Sequence, residues 1–156
     1  MTPEQTLQRT ENLRRQMEQA KRLEVAVGLP KGEATAKVYG NGIKVVEIAA
    51  IHEYGLGNVP ARSILRVPFI AKKREMDDAM AYAFRQIFTG SSDAKDALDL
   101  VGAEARNYVL DGFRNNGYGT WPELDPETIR RKGSSRALVD KGILRGSITW
   151  ETRRAT

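Results

Sequence analysis

Two long segments in the middle of the chain have apolar residues at the spacing of an amphipathic helix. Within residues 67–88, and again within 93–113, the apolar side chains recur three or four positions apart. This period places them on one face of a helix. Gly90 is a typical helix stop, and Asp93 is a good N-cap for the segment that follows. Because the link is short, we expect an antiparallel helix pair.

Two further helices are predicted before this pair. Residues 3–22 have only a thin apolar stripe, so this N-terminal helix should be peripheral and loosely attached, or buried by a partner. Residues 44–54 also have helical spacing, and the stop signals Gly55 and Gly57 follow them. Their β-branched residues leave a strand as the competing interpretation.

The C-terminal part contains shorter helical signals. Asp125 stands at an N-cap position and Pro126 at the first helical position, which predicts one or two turns that end at Gly133. Residues 140–146 are expected to form another single turn. The segment 114–120 lies between the long helices and these turns, and its glycine and asparagine residues predict a flexible loop.

Alternating apolar and polar residues predict a small sheet. Residues 23–29 and 147–152 have a period of two, and a further short strand is plausible at 35–39, before a turn at 40–42. The predicted fold class is therefore α+β. In this fold a small mixed or antiparallel sheet packs against two long antiparallel helices, with a peripheral N-terminal helix.

Length and composition fit a single domain. With 156 residues, 40% of them hydrophobic, the chain can form one modest core, so we expect one domain over residues 1–156. No apolar run approaches the roughly 20 residues that cross a bilayer. The start of the chain lacks the pattern of a secretory signal, which predicts a non-membrane protein that stays in the cytoplasm. The absence of cysteine excludes disulfides and thiolate chemistry.

Positive charge is concentrated at the end of the chain. Residues 129–156 carry eight Lys or Arg against Asp140 and Glu151, so this segment has a net charge of +6. The whole chain has a net charge of +5, so the remaining residues sum to −1. Such a segment suits contact with nucleic acid or with an acidic face of a protein partner. A solvated surface that keeps the protein in solution is the simpler alternative.

The sequence contains no assembled catalytic or metal-binding pattern. His52 is the sole histidine, and Leu56 stands where a zinc-protease helix would have its second histidine. An acid–base pair of His52 and Glu53 is conceivable, but a structural role at a helix end is the more common one. Phosphate loops and a nucleophile elbow are absent. We therefore expect no enzyme activity, no metal and no cofactor.

Four short strings along the chain form a familiar series. AAIHEYG occupies positions 49–55, VPARSILR 59–66, WPELDPETIRRKG 121–133 and LVDKGILRGSI 138–148. In order and approximate spacing they resemble the signatures A-x-x-H-E-F/Y-G … P-A-R-x-F-L-R and W-x-x-L-x-x-x-T-x-x-x-K-G … L-x-D-T-G-x-L-x-x-S-I of phage tail-completion and virion-morphogenesis proteins. That broad family includes the minor tail protein Z of phage lambda and the G protein of Mu-like phages.

Two positions depart from the family pattern. Ile64 stands where the family usually has Phe, which is a tolerable change of one apolar side chain for another. Lys141 stands where the family usually has Thr, so Asp140 would cap the following turn without a hydroxyl beside it. We expect Asp140 and Ser147 to cap or brace the turn around Gly142.

The motif residues have expected structural roles. Tyr54 and Gly55 should end a helix, Pro60 and Arg62 should fix the loop that follows, and Trp121 should hold the flexible loop against the body. Fold maintenance and interface contact are both open for each position. The candidate family-motif and interface residues are His52, Glu53, Tyr54, Gly55, Pro60, Arg62, Arg66, Trp121, Arg130, Arg131, Lys132, Asp140, Gly142, Leu144 and Ser147.

The resemblance implies a structural role in a virion. It implies a ring of copies of this chain, six-fold in the virion, at the head-proximal end of a phage tail, assembled in the host cytoplasm. The implied neighbours are the tail tube or tail terminator, the head-closure or connector proteins, and the end of the phage DNA. Five charges are expected to face the lumen or a partner: Arg62, Arg66, Arg130, Arg131 and Lys132. The alternative is a nucleic-acid-binding module that uses the basic C-terminal segment.

Overall fold

The structure of the protein is a computed structural model. It describes residues 1–133, 135, 138 and 142–155, and it describes Glu33 and Ala34 by their backbone alone. The strand after the first helix pairs with the strand at the end of the chain. In chain order the elements are α1 (Pro3–Ala20), β1 (Leu23–Gly28), α2 (Glu33–Ala36), α3 (Val45–Tyr54), α4 (Arg66–Ala71), α5 (Lys73–Thr89), α6 (Ala94–Arg114), α7 (Pro126–Lys132), α8 (Ile143–Ser147) and β2 (Thr149–Arg154).

The predicted α+β fold is confirmed, and its sheet is antiparallel. Strands β1 and β2 pair over their full length, with Val25 opposite Thr152 and Val27 opposite Trp150. Both strands pack on α6. Gly102 of α6 makes this packing possible, because the Trp150 ring fills the space that a side chain at this position would occupy.

The two long helices are confirmed as α5 and α6, but α5 starts later than predicted. The expected helix over 67–88 is broken at Lys72, where φ is −112° and ψ is 20°, into α4 and α5. Pro68 of α4 is fully buried and packs against Gly112 of α6. This contact holds α4 on the C-terminal part of α6, and the chain turns at Lys72 before α5 packs along the rest of it.

The strand expected at residues 35–39 is wrong. The segment Glu33–Ala36 forms a single helical turn, in which the Thr35 hydroxyl donates to the carbonyl of Gly32 at 2.7 Å. A local side-chain bond of this kind competes with strand pairing. Only an isolated antiparallel bridge between Val38 and Lys44 remains of the predicted strand, and it encloses the expected turn.

The other short elements agree with the sequence to within a few residues. Helices α1 and α7 are confirmed, and α3 settles the competing interpretations of residues 44–54 in favour of a helix. Gly55 ends α3 with a φ of 68°, and a Cβ there would come within 2.8 Å of the Ala61 nitrogen, so the position needs glycine. The last strand begins two residues later than predicted, because Ser147 belongs to α8.

Helix α6 joins two clusters of buried apolar side chains. Its C-terminal half contributes Val109 and Phe113 to the larger cluster, and its N-terminal half contributes Ala94, Ala97 and Val101 to the smaller one. The remaining buried members are Val45, Ala49, Ile64, Trp121, Leu144 and Ile148 in the larger cluster and Ala20, Ala83 and Ile87 in the smaller one.

Within the described ranges, no helix is both long and apolar enough to cross a membrane.

We predict that Gly102→Ala destabilises the fold by about 1–3 kcal/mol, the usual range for overpacking a tight core. The new Cβ would lie 2.8 Å from Trp150 Cγ and 2.9 Å from Val25 Cγ1, so the sheet must shift away from α6. Denaturant unfolding measures the loss. Gly146→Ala is the matched control, because Gly146 is helical and has no atom within 4 Å of its Cβ position. Equal stability of the two variants would contradict this packing.

Candidate functional site

The carboxylate of Glu53 organises the connector between α3 and α4. Glu53 lies in the last turn of α3 and is 7% exposed. Its Oε1 accepts hydrogen bonds from Ser63 Oγ at 2.6 Å and from the backbone nitrogen of Arg66 at 3.2 Å, and its Oε2 accepts from the backbone nitrogen of Leu65 at 2.9 Å. These N–H groups lie at the start of α4, whose N-cap residue Leu65 has no side chain that can accept a hydrogen bond. Glu53 supplies that cap from another helix.

These bonds also keep Glu53 ionised. Burial by itself would raise the pKa of this carboxyl, but the hydrogen bonds from Ser63, Leu65 and Arg66 outweigh it and hold the pKa below its usual value. The guanidinium of Arg66 adds an ion pair, with Nε 3.3 Å from Oε1. Moving the connector away would leave the buried charge of Glu53 without hydrogen-bond partners, so the carboxylate holds the connector on α3.

Ser63 connects this carboxylate to the Trp121 segment. Its hydroxyl bonds Glu53 and also accepts from the backbone nitrogen of Val67 at 3.3 Å, while its carbonyl accepts from Trp121 Nε1 at 3.0 Å. The indole meets the ring of Phe113 edge-on, with centroids 5.7 Å apart. The expectation that Trp121 anchors the loop before it is confirmed. Ser63 was not among the candidate residues.

Arg62 is not an exposed charge, which corrects the expected lumen or partner contact and agrees with the expectation that it fixes the loop. It is 4% exposed. Its Nε donates to the carbonyl of Pro122 at 2.9 Å and its Nη2 to that of Glu123 at 2.8 Å, while its backbone nitrogen donates to the carbonyl of His52 at 2.7 Å. The guanidinium therefore holds the chain after Trp121 against α3. A lumen or partner contact would require it to leave these acceptors.

Other residues of the first two strings lie at the surface beside this network. Tyr54 is 65% exposed, and the guanidinium of Arg66 lies 5.6 Å from the centre of its ring. Arg66 also donates from Nη2 to the carbonyl of Glu53 at 3.0 Å. Pro60 is exposed in the connector. Tyr54 and Arg66 are thus accessible to a partner, whereas Glu53 is not.

His52 faces a cavity on another side of α3. The cavity has a volume of about 780 Å³, and Arg131 and Lys132 of α7 also line it. Burial, followed by the positive charges of Arg62 and Lys132, lowers the pKa of His52 to about 4. Its Nδ1 is buried without a hydrogen-bond partner in the part of the chain that the structure describes. The acid–base pair considered from sequence is not assembled, because the Glu53 carboxylate is bonded to the connector instead.

The C-terminal motif residues lie on or beside α7 and α8. Asp125 caps α7 by accepting from the Glu127 nitrogen at 2.8 Å, as predicted. Arg130 and Arg131 are exposed, and Lys132 is half-buried. Asp140 lies outside the described residues.

Helix α8 brings the last string of the series into the core. Gly142 precedes α8 with a φ of 67°, and Leu144 is buried in the larger cluster. Ser147 Oγ donates to the Ile143 carbonyl at 2.8 Å, so it braces this turn as expected.

The segment at 114–120 is closed by local hydrogen bonds. The backbone nitrogen of Gly117 donates to the Gly112 carbonyl at 2.7 Å, and the Tyr118 hydroxyl donates to the Tyr108 carbonyl at 2.8 Å. The Trp121 ring occupies the space of a side chain at Gly117. The mobility of this loop stays a prediction.

The four strings of the series converge on one region of the fold. Glu53, Ser63 and Trp121 are bonded to one another through Ser63, and Leu144 belongs to the same core cluster as Trp121. No set of three or more His, Cys, Asp or Glu side chains among the described residues is placed to hold a metal ion. The chain matches no protein-family model, no curated protein and no solved structure.

We predict that Glu53→Gln lowers the free energy of unfolding by about 1–3 kcal/mol, because its amide NH₂ would face N–H donors that are left unpaired. Denaturant unfolding at neutral pH measures the effect. Glu11→Gln is the control, since Glu11 is exposed on α1. Wild-type stability of Glu53→Gln would show that the carboxylate does not hold the connector.

Protonation of His52 is predicted to reduce stability in mild acid. The folded-state pKa of about 4 lies below the ordinary value of 6.5, so the unfolded chain binds the proton first and stability falls as the pH drops from 6.5 to 4. Between pH 6.5 and 4, the free energy of unfolding of His52→Gln should fall by roughly 1–2 kcal/mol less than that of the wild type. Thermal unfolding over this pH range measures the difference. Identical slopes for the two proteins would contradict the buried neutral imidazole.

Proposed function

We propose that this chain is a tail-completion subunit of a tailed phage, which forms a ring at the head-proximal end of the tail and completes it for joining to the capsid. One observation carries the proposal. Three of the four strings that resemble the family signatures meet in one hydrogen-bonded network, in which Ser63 bonds both Glu53 and Trp121, and the fourth packs into the same core cluster through Leu144. This arrangement supports the interpretation of the strings as parts of one structural motif.

The distribution of surface features supports an assembly role. Helix α1 is exposed over its first ten residues, and α7 ends in the basic run Arg130, Arg131 and Lys132. A ring requires two different surfaces on each copy, joined by a contact that closes by rotation. The implied neighbours are further copies, the tail tube or terminator, and the head-closure or connector proteins. The absence of catalysis, metal and cofactor stays a prediction.

Nucleic-acid binding through the basic C-terminal segment is the second candidate function. The exposure of Arg130 and Arg131 at the end of α7 favours it. A binding module would retain duplex DNA well above physiological salt, whereas loss of binding at moderate salt would indicate incidental charge. Contact with the DNA end inside a ring would be a weaker form of the same interaction and is compatible with the first proposal.

We predict that replacing Arg130, Arg131 and Lys132 together by Ala leaves the fold intact and sharply reduces the yield of infectious particles. Arg130 and Arg131 are exposed, so their removal costs little folding energy. Complementation of a phage that lacks the gene measures the yield, and circular dichroism checks the fold. The control removes the same charge elsewhere, by Arg22→Ala, Lys31→Ala and Lys37→Ala, which are all exposed. Normal yield from the first variant would count against the proposal.

A further inference from the structure

Helices α5 and α6 enclose a shallow apolar groove on their outer side. Its floor is made of the small residues Ala79, Ala83 and Ala97, and its volume is about 300 Å³. Tyr82 and Leu100 stand at its two walls and are 56% and 62% exposed. Exposed side chains of this size beside a groove are typical of a protein contact.

Carboxylates stand beside both exposed walls of the groove. Asp78 precedes Tyr82 by four residues on α5, and Asp96 and Glu104 lie four residues before and after Leu100 on α6, so each acid shares a helix face with its wall residue. Glu104 lines the groove itself. Asp78 and Asp96 are exposed and have no ion-pair partner in the described ranges. Arg85, which is also exposed, follows Tyr82 by three residues, so the groove is apolar at its floor and carries more carboxylates than cations at its rim.

The opposite charge lies on a separate part of the same chain. Arg130 and Arg131 are exposed on α7 and have no ion-pair partner among the residues that the structure covers. Helix α7 borders the His52 cavity, beside the larger core cluster, whereas the groove lies over the smaller cluster. Two complementary surfaces at different places on one chain are what a head-to-tail contact between copies needs.

We propose that the α5–α6 groove of one copy receives Arg130 and Arg131 of the next copy. The methylene stems of arginine can cover Tyr82 and Leu100, a guanidinium can stack on the Tyr82 ring, and the rim carboxylates can accept its hydrogen bonds. This inference rests on the proposed ring and names its subunit contact. Charge complementarity selects a second copy as the occupant, because this chain supplies the basic helix itself.

A charge-swap experiment tests the contact in the full chain. One variant carries Asp78→Lys and Asp96→Lys, a second carries Arg130→Glu and Arg131→Glu, and a third carries all four changes. Yield of infectious particles is measured by complementation, with thermal unfolding as the check of folding. We expect each pair alone to lower the yield at least about tenfold, since like charges then face each other, and the combination to restore most of it.

The outcomes separate this contact from the proposed function. Full yield from the folded variant with Asp78→Lys and Asp96→Lys, or no recovery in the combination, would overturn the contact. The ring proposal would then still depend on the yield from the variant in which Arg130, Arg131 and Lys132 are replaced by Ala. If that variant also gives full yield, the proposed function fails as well. Asp78→Asn with Asp96→Asn provides a milder pair if the lysine variant does not fold, and should give a smaller loss. Glu4→Lys with Glu11→Lys, on exposed α1, is the control for added positive charge.

Discussion

The buried carboxylate of Glu53 is the interaction on which the arrangement of the site depends. An ionised group at 7% exposure needs fixed donors around it, and Ser63 and the first N–H groups of α4 supply them. The connector therefore cannot move independently of α3. Because the Ser63 carbonyl also holds the Trp121 indole, the same carboxylate indirectly positions the segment that leads into α7.

Arg62 strengthens this coupling from the other side of the connector. Its guanidinium bonds the carbonyls of Pro122 and Glu123, which lie four and three residues before α7 begins at Pro126. Together with Trp121, it attaches the segment before α7 to α3 and to the C-terminal half of α6. Helix α6 also forms one wall of the groove, so it links the segment that leads into α7 to the α5–α6 surface, as the proposed ring contact would need.

Much of this fold follows from local signals in the sequence. Asp93 and Asp125 act as the N-caps that their positions predict, and Gly55 ends α3 in the left-handed conformation. The sequence does not predict a helix interruption that depends on a contact between distant residues. The chain bends at Lys72 because Pro68 packs on Gly112, a contact between residues more than 40 positions apart.

The sequence predicted most residues of the candidate site, but only some of their roles. The motif strings correctly pointed to Glu53, Arg62 and Trp121, which meet in the structure. Nothing in the sequence distinguishes the buried Arg62 from the exposed Arg66 four positions later, since burial is decided by the carbonyls of a segment about 60 residues away. Ser63 was overlooked because its partners come from two different segments.

We propose that this chain holds copies of itself and neighbouring proteins together at the junction of a phage tail and head. Cryo-electron microscopy of particles from the phage that encodes it, with mass spectrometry of their proteins, tests this most directly. We expect a closed ring of this chain at the head-proximal end of the tail. Particles that are infectious yet contain no copy of the chain would contradict it.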